Sequence, residues 1–148
     1  MSEIQNAVDA VQEVAAEVSP APVEFNNITS AADIKARLDW GEPAFTIIDI
    51  RDRQSYNEKR IAGAIPGASE EELSRVRQTL EKNRDIYIYG SSDNEAKRTA
   101  LQLVESGFER VSIIAGGLSA WDTASGLTEG RDAAPDKLRP GFVNNITE

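Results

Sequence analysis

Apolar residues in the first 18 positions recur as Ile4, Val8, Val11, Ala15 and Val18, at intervals that place them on one stripe of a helix. The same stretch carries Glu3, Asp9, Glu13 and Glu17 and no Lys or Arg. Two heptads are too few for an independent coiled coil, so the segment is expected to be a frayed tail or a helix lying on its own domain, or else a helix that docks on a partner or self-associates. "SPAP", residues 19–22, reads as a stiff linker.

From Val23 the pattern changes to short apolar runs alternating with helical periods. "VEFNNI" reads as a short strand, and "TSAADIKARLDW" as a helix capped by Thr29 or Ser30 with Ile34 and Leu38 facing inward. "AFTIIDI", residues 44–50, is apolar without alternation, the mark of a strand covered on both faces. "AGAIPGA" reads as a small-residue turn around a short strand. Residues 69–83 predict a helix capped by Ser69, with acids in its first turn and Leu73, Val76 and Leu80 inward. A strand at 86–89, a loop, a helix over about 95–106 burying Ala100, Leu103 and Val104, and a stop at Gly107 follow. "VSII" is a further buried strand, and "AGGLSAWDTASG" a turn with a short helix. Apolar strands alternating with helices predict an α/β fold of three layers, a mainly parallel central sheet flanked by helices. The expected organisation is a helix and linker over 1–22, a compact domain over 23–126, and an irregular tail over 127–148 with an apolar contact through Phe142, Val143 and Ile146.

Composition narrows the chemistry. Of 148 residues, 16 are basic and 25 acidic, a net charge of -9. That disfavours nucleic acid and anionic membranes as partners. No apolar run approaches the length that spans a bilayer, and the N-terminus lacks the basic start and apolar centre of a secretory signal, which points to the cytoplasm. The chain has no Cys and no His. Thiolate nucleophiles, thiolate or imidazole metal ligands and a Ser-His-Asp site are excluded. Acid–base work would fall to Asp, Glu, Lys or Tyr. No cofactor and no metal site are expected.

Three separated motifs carry a resemblance: "IIDIRDRQSYNEKRIAGAIPGA" at 47–68, "IYIYGSSDNEAKRTALQLVESGFERV" at 86–111, and "IIAGGLSAW" at 113–121. In this order and spacing the chain resembles a single-domain rhodanese over roughly Val23 to Gly126. Asp49 and Arg51 match that family's Asp-x-Arg, and Tyr56 its aromatic position. Ile61, Gly63 and Ala64 match its His-Ile-x-Gly-Ala turn, with Arg60 where the His is usual. Gly107-Phe108, Gly116-Gly117 and Trp121 match its closing pattern. The resemblance implies a sulfurtransferase ancestry in which a loop cysteine takes up sulfur as a persulfide, cradled by backbone N–H groups, with an Arg often closing the loop.

In this chain the corresponding loop is Gly90, Ser91, Ser92, Asp93, Asn94 and Glu95. Gly90 stands at the cysteine's position and Glu95 at the arginine's. A glycine can hold no covalent intermediate. A serine oxygen forms no persulfide, and no imidazole is present to activate it. Asp93 and Glu95 would repel an anionic donor by about 1 to 4 kcal/mol. Ser92 to Glu95 reads as a capping box, S-x-x-E, in which the cap itself satisfies the donors of the cradle. The chain is therefore expected to be a non-catalytic rhodanese-like module that binds a protein partner, with Ile4, Val8, Val11 and Val18 as candidate contacts. Four alternatives remain open: a neutral or cationic ligand in the remnant pocket formed by the loop with Asp49 and Arg51; a sulfur-transfer-related role without persulfide chemistry of its own; another enzyme using the carboxylates Asp49, Asp93 and Glu95 with Arg51; and an oxygen-ligand metal sensor at Asp93, Asn94 and Glu95.

Overall fold

The structure is a computed structural model that describes residues 22–41 and 44–133. The N-terminal stripe, most of the linker and the apolar contact expected at Phe142, Val143 and Ile146 lie outside the described residues.

A parallel sheet of five strands runs in the order β1 (Ile28–Thr29), β6 (Arg110–Ile114), β5 (Asp85–Tyr89), β2 (Phe45–Asp49), β4 (Ile65–Pro66). In β2 and β5 the register sets Ile48 beside Ile88 and Asp49 beside Tyr89. Alternation along each strand then sorts side chains between two layers. Ile48, Ile86, Ile88, Val111 and Ile113 face α3 (Glu70–Thr79) and α4 (Asp93–Glu105), which contribute Val76, Ala96, Ala100 and Leu103. Ile47, Tyr87, Tyr89 and Ile114 face α1 (Ala31–Asp39) and α5 (Gly117–Thr123), which contribute Ala31, Ile34 and Trp121. The three-layer α/β expectation holds, and both faces of the sheet are covered, as the unbroken apolar runs required.

The helix starts follow the sequence. Ser30 caps α1 by accepting from the Asp33 N–H. Ser69 and Glu72 form a full capping box on α3, worth about 0.5–2 kcal/mol.

Several details differ from expectation. Leu38 is 42% exposed, because Arg37 takes the place on the sheet that Leu38 was expected to fill. The Arg37 guanidinium stacks over Phe45, 4.7 Å from the ring centroid, and donates to the Tyr87 hydroxyl at 2.6 Å. Val104 is 43% exposed, since the buried arc of α4 centres on Ala96, Thr99, Ala100 and Leu103 and Val104 falls to its side. The strand expected over 23–28 shrinks to Ile28–Thr29. α3 stops at Thr79. A short helix, α2 (Arg53–Glu58), capped by Asp52, follows the Asp-x-Arg segment. A two-stranded antiparallel sheet joins β3 (Arg60–Ile61) to β7 (Thr128–Glu129), so the stretch after Gly126, expected to be irregular, begins with paired backbone.

Candidate functional site

β2 ends in Asp49, which is fully buried. Burying a carboxylate without partners is costly, and here every approach is taken. Arg51 Nη2 donates to Asp49 Oδ2 at 2.8 Å, and Arg51 Nε to Oδ1 at 3.1 Å. The Arg51 backbone N–H donates to Oδ1 at 2.9 Å, and the Tyr89 hydroxyl to Oδ2 at 2.6 Å. Arg51 Nη2 also donates to the carbonyls of Ser55 and Lys59. One guanidinium thus fastens the strand end, α2 and the entry to β3. The Tyr89 hydroxyl in turn accepts the Ile61 N–H at 3.1 Å. Asp49 and Arg51 brace the end of β2 beneath the loop, with only 13% of the Arg51 side chain exposed.

Ionisation follows this packing. Burial pushes the Tyr89 hydroxyl far above its usual value, and the neighbouring Asp49 charge adds to the rise. For Arg51 burial alone would lower the pKa, but the hydrogen bonds and charge of Asp49 outweigh it and the net shift is upward. In the unfolded chain Tyr89 ionises near 10.0; folded, it stays protonated well beyond that. Its contribution is therefore fully present below pH 10 and is lost as pH rises, at about 1.4 kcal/mol per pH unit for one such group. Urea unfolding as a function of pH checks this: stability begins to fall above about pH 10, and Tyr89→Phe flattens part of that limb.

The second half of the frame comes from β3 and β7. The Tyr56 hydroxyl donates to the Ala64 carbonyl at 2.8 Å. Arg60, at the position where the resembled family has His, stacks over Tyr56 at 4.4 Å and donates to Glu129 Oε1 at 3.2 Å. Glu129 also accepts the Gly63 N–H at 3.0 Å. Arg60 is thus a clamp on the following strand pair.

The loop itself rises from the end of β5. A Cβ at Gly90 would sit 2.8 Å from Cγ1 and 3.0 Å from Cδ1 of Ile50, and 3.7 Å from Cβ of Glu95. Ile50 therefore fills the space into which a side chain at position 90 would point. Ser92 caps α4 by accepting the Glu95 N–H at 3.2 Å. The expected return bond from the Glu95 carboxylate to the Ser92 backbone is replaced by a long bond from the Ser92 hydroxyl to Glu95 Oε2 at 3.4 Å. Asp93 Oδ1 accepts the Gly116 N–H at 3.0 Å, tying the loop to the left-handed turn before α5. Asn94 Oδ1 accepts the Val23 N–H at 2.7 Å, so the chain entering from the N-terminus is pinned to the first turn of α4. Ser91 remains exposed.

Beside the loop, between α3 and α4, lies an open groove of about 350 Å³ lined by Ile50, Gly67, Leu73, Glu95, Arg98 and Thr99, among others. Ile50 and Glu95 line this groove and Gly90 lies against both of them, whereas Asp93 and Asn94 are engaged elsewhere. Among the described residues no cluster of three or more Asp or Glu is arranged to hold a metal ion. Residues that the sequence did not single out are Ile50, Tyr89 and Glu129. Tyr89 could have been found from strand parity, since it lies in register with Asp49. Ile50 and Glu129 depend on tertiary contacts that no local pattern announces.

Comparison with known proteins agrees with this architecture. The model of the rhodanese-like domain family matches residues 30–124. A thiosulfate sulfurtransferase, GlpE, from Coxiella burnetii is 32% identical over 75 residues, covering 51% of this chain and 69% of that protein. The crystal structure of the Alr3790 protein from Anabaena sp. superposes with a TM-score of 0.66 at 47% identity, covering 69% of this chain and 91% of that one. The solution structure of the rhodanese-like domain of the same Anabaena protein gives 0.67 at 44% identity, covering 73% and 82%. The chain belongs to the rhodanese-like domain family, whose relatives include sulfurtransferases. No described helix is long and apolar enough to cross a membrane.

Proposed function

We propose that this chain is a non-catalytic rhodanese-like module that acts by binding a protein partner. The observation that carries the reading is the loop's starting residue. Gly90 stands where the resembled family keeps its sulfur-carrying cysteine, and Ile50 occupies the space beside it. No other residue of the chain can replace that thiol, because the chain contains no cysteine. Asp93 and Glu95 set negative charge where an anionic donor such as thiosulfate would arrive. The remaining loop groups are engaged in holding structure: Ser92 on α4, Asp93 on Gly116, Asn94 on Val23. What persists is a braced scaffold, which suits recognition. Candidate partner contacts are Ile4, Val8, Val11 and Val18 on the N-terminal stripe.

The test has two arms. Purified protein assayed with thiosulfate and cyanide gives no turnover above a heat-killed control, and intact-mass spectra after thiosulfate treatment show no added sulfur. Turnover, or a sulfur adduct, sinks the reading. Gly90→Cys is expected to fold at a cost of about 1–3 kcal/mol from overpacking against Ile50 and to remain without turnover while Glu95 is in place. Sustained turnover by that single variant would show that the cradle is intact and the loss only one atom deep. The groove beside the loop favours a second reading, in which a small neutral or cationic ligand binds there. A thermal-shift screen in which such ligands raise the melting temperature of the parent but not of Glu95→Gln supports it.

A further inference from the structure

Taking the groove between α3 and α4 as a small-ligand site, we propose that it receives an α-amino acid with an aliphatic side chain. The ammonium lies against Glu95, the carboxylate against Arg98 and the side chain over Ile50 and Leu73. One wall of the groove is a single stripe of α4. Glu95, Arg98, Thr99 and Gln102 stand at i, i+3, i+4 and i+7, the spacing that shares a helix face. Of the loop only Glu95 lines the groove, so it stands beside the cradle and not in it. At about 350 Å³ it is at the small end of ligand sites, which run about 300–1,000 Å³, a size for a metabolite and not for a large cofactor.

Thr99 is the group that points to a ligand. It is 8% exposed, and its hydroxyl makes no hydrogen bond among the described residues. Every fully buried side-chain nitrogen or oxygen of the described residues has a partner, so this oxygen opens onto the groove that Thr99 lines. A nearly buried hydroxyl that the fold leaves unsatisfied is costly to keep and is met from outside. The charges say by what. The charged residues lining the groove are Glu70, Glu95 and Arg98. α4 as a whole has more acids (Asp93, Glu95 and Glu105) than bases (Lys97 and Arg98), but Asp93, Lys97 and Glu105 do not line the groove. Glu70 is already paired with Arg77. Glu95 and Arg98 are paired neither with each other nor with any other described residue; the Glu95 carboxylate accepts only the long bond from the Ser92 hydroxyl at 3.4 Å. Opposite charges three residues apart on one helix face, each lacking an ion-pair partner, match a ligand that carries both signs on neighbouring atoms. A purely cationic ligand leaves Arg98 unanswered, and a purely anionic one meets Glu70 and Glu95. Gln102, one turn beyond Arg98, adds an amide donor for the carboxylate. Ile50 and buried Leu73 supply the apolar floor.

The probes are L-leucine, which carries both charges, N-acetyl-L-leucine, which lacks the ammonium, and L-leucinamide, which lacks the carboxylate. Each is titrated into 15N-labelled full-length protein. Leucine is expected to shift the amide signals of Leu73, Glu95 and Thr99 saturably and to leave Ala31 and Ile34, in the opposite layer, unmoved. Each blocked probe binds more weakly by about tenfold or more, the loss of one charge-assisted contact. Glu95→Gln, which keeps the S-x-x-Q form of the helix cap, closes the gap between leucine and N-acetyl-leucine. Arg98→Gln closes the gap between leucine and leucinamide. Thr99→Val weakens leucine binding and raises the urea midpoint, because it removes a hydroxyl that the fold does not satisfy. Leucinamide binding as tightly as leucine overturns the amino-acid assignment and leaves the groove a cation site. N-acetyl-leucine binding as tightly overturns it in favour of an anion, and a Thr99→Val protein with the parent's affinity for leucine overturns it as well. No saturable shift with any of the three probes overturns the small-ligand reading together with it. A sulfur-transfer assay bears on none of these outcomes, so failure of the non-catalytic reading is a separate result.

Discussion

Asp49→Ala is expected to destabilise the fold by about 3–5 kcal/mol, the cost of leaving a buried charge without its partner. Domains of this kind are stable by about 5–15 kcal/mol in total, so the loss is a large share of the whole. The carboxylate is inaccessible to water and receives four donors: two from the Arg51 side chain, one from the Arg51 backbone and one from Tyr89. Truncation leaves the Arg51 guanidinium with only the carbonyls of Ser55 and Lys59, and leaves the Tyr89 hydroxyl with no acceptor from Asp49. Asp49→Asn separates charge from shape. It retains an acceptor for Tyr89 and is expected to cost about 1–3 kcal/mol. Urea unfolding followed by far-ultraviolet circular dichroism measures both, with the shift in midpoint at constant m-value giving the difference. If Asp49→Ala unfolds within about 1 kcal/mol of the parent, the brace is not what holds the loop's foundation, and the structural assignment of Asp49 and Arg51 fails. Should Asp49→Ala prove too unstable to purify, a midpoint for Asp49→Asn indistinguishable from the parent would have the same force.

Much of this architecture is written in local patterns. The unbroken apolar runs of β2, β5 and β6 gave the covered parallel sheet, and Ser30, Ser69 and Ser92 marked three helix starts that the structure places as caps. Local patterns failed where a side chain's surroundings come from far along the chain. Leu38 and Arg37 are neighbours in sequence, and helical periodicity favours the leucine for the core. The rings of Phe45 and Tyr87 reverse that order by offering the guanidinium a stacked, hydrogen-bonded place. β3 and β7 are two residues each, 68 positions apart between Arg60 and Thr128, too short for any periodicity. At the loop, the absence of a thiol at position 90 was legible in the sequence alone. Its structural counterpart, Ile50 lying in the vacated space, required the fold, because Ile50 belongs to a different strand end. The capping motif at Ser92 was legible in type but not in detail: the serine cap forms, while the glutamate turns to the serine hydroxyl.

Trp121→Ala is expected to cost about 3–5 kcal/mol, and its interaction with Gly126 gives a sharper test than the magnitude alone. Trp121 is fully buried among Ile34, Ile61, Ile114 and Tyr89, and its indole N–H donates to the Leu127 carbonyl at 2.8 Å. The same carbonyl accepts the Ala62 N–H at 3.0 Å. The ring thus sets the height at which β7 meets β3, and with it the reach of Glu129 to Arg60 and Gly63. Gly126 passes so close that a Cβ there would lie 2.2 Å from Cε2 of the indole, although its backbone is not in the left-handed region. Collision with the ring, not backbone strain, makes glycine necessary. Gly126→Ala in the parent should therefore cost about 1–3 kcal/mol by overpacking. With Trp121→Ala already made, the same change meets a cavity and should be neutral or stabilising by about 0.4–1 kcal/mol, the usual gain from a stiffer unfolded chain. The double-mutant cycle then shows a coupling of about 1–4 kcal/mol. Trp40, the other tryptophan, is 84% exposed, so the blue-shifted part of the native emission belongs to Trp121 and reports the integrity of this corner in Gly126→Ala. An additive cycle would mean that the backbone at Gly126, not the indole, fixes the turn, and that the β3–β7 clamp does not depend on Trp121.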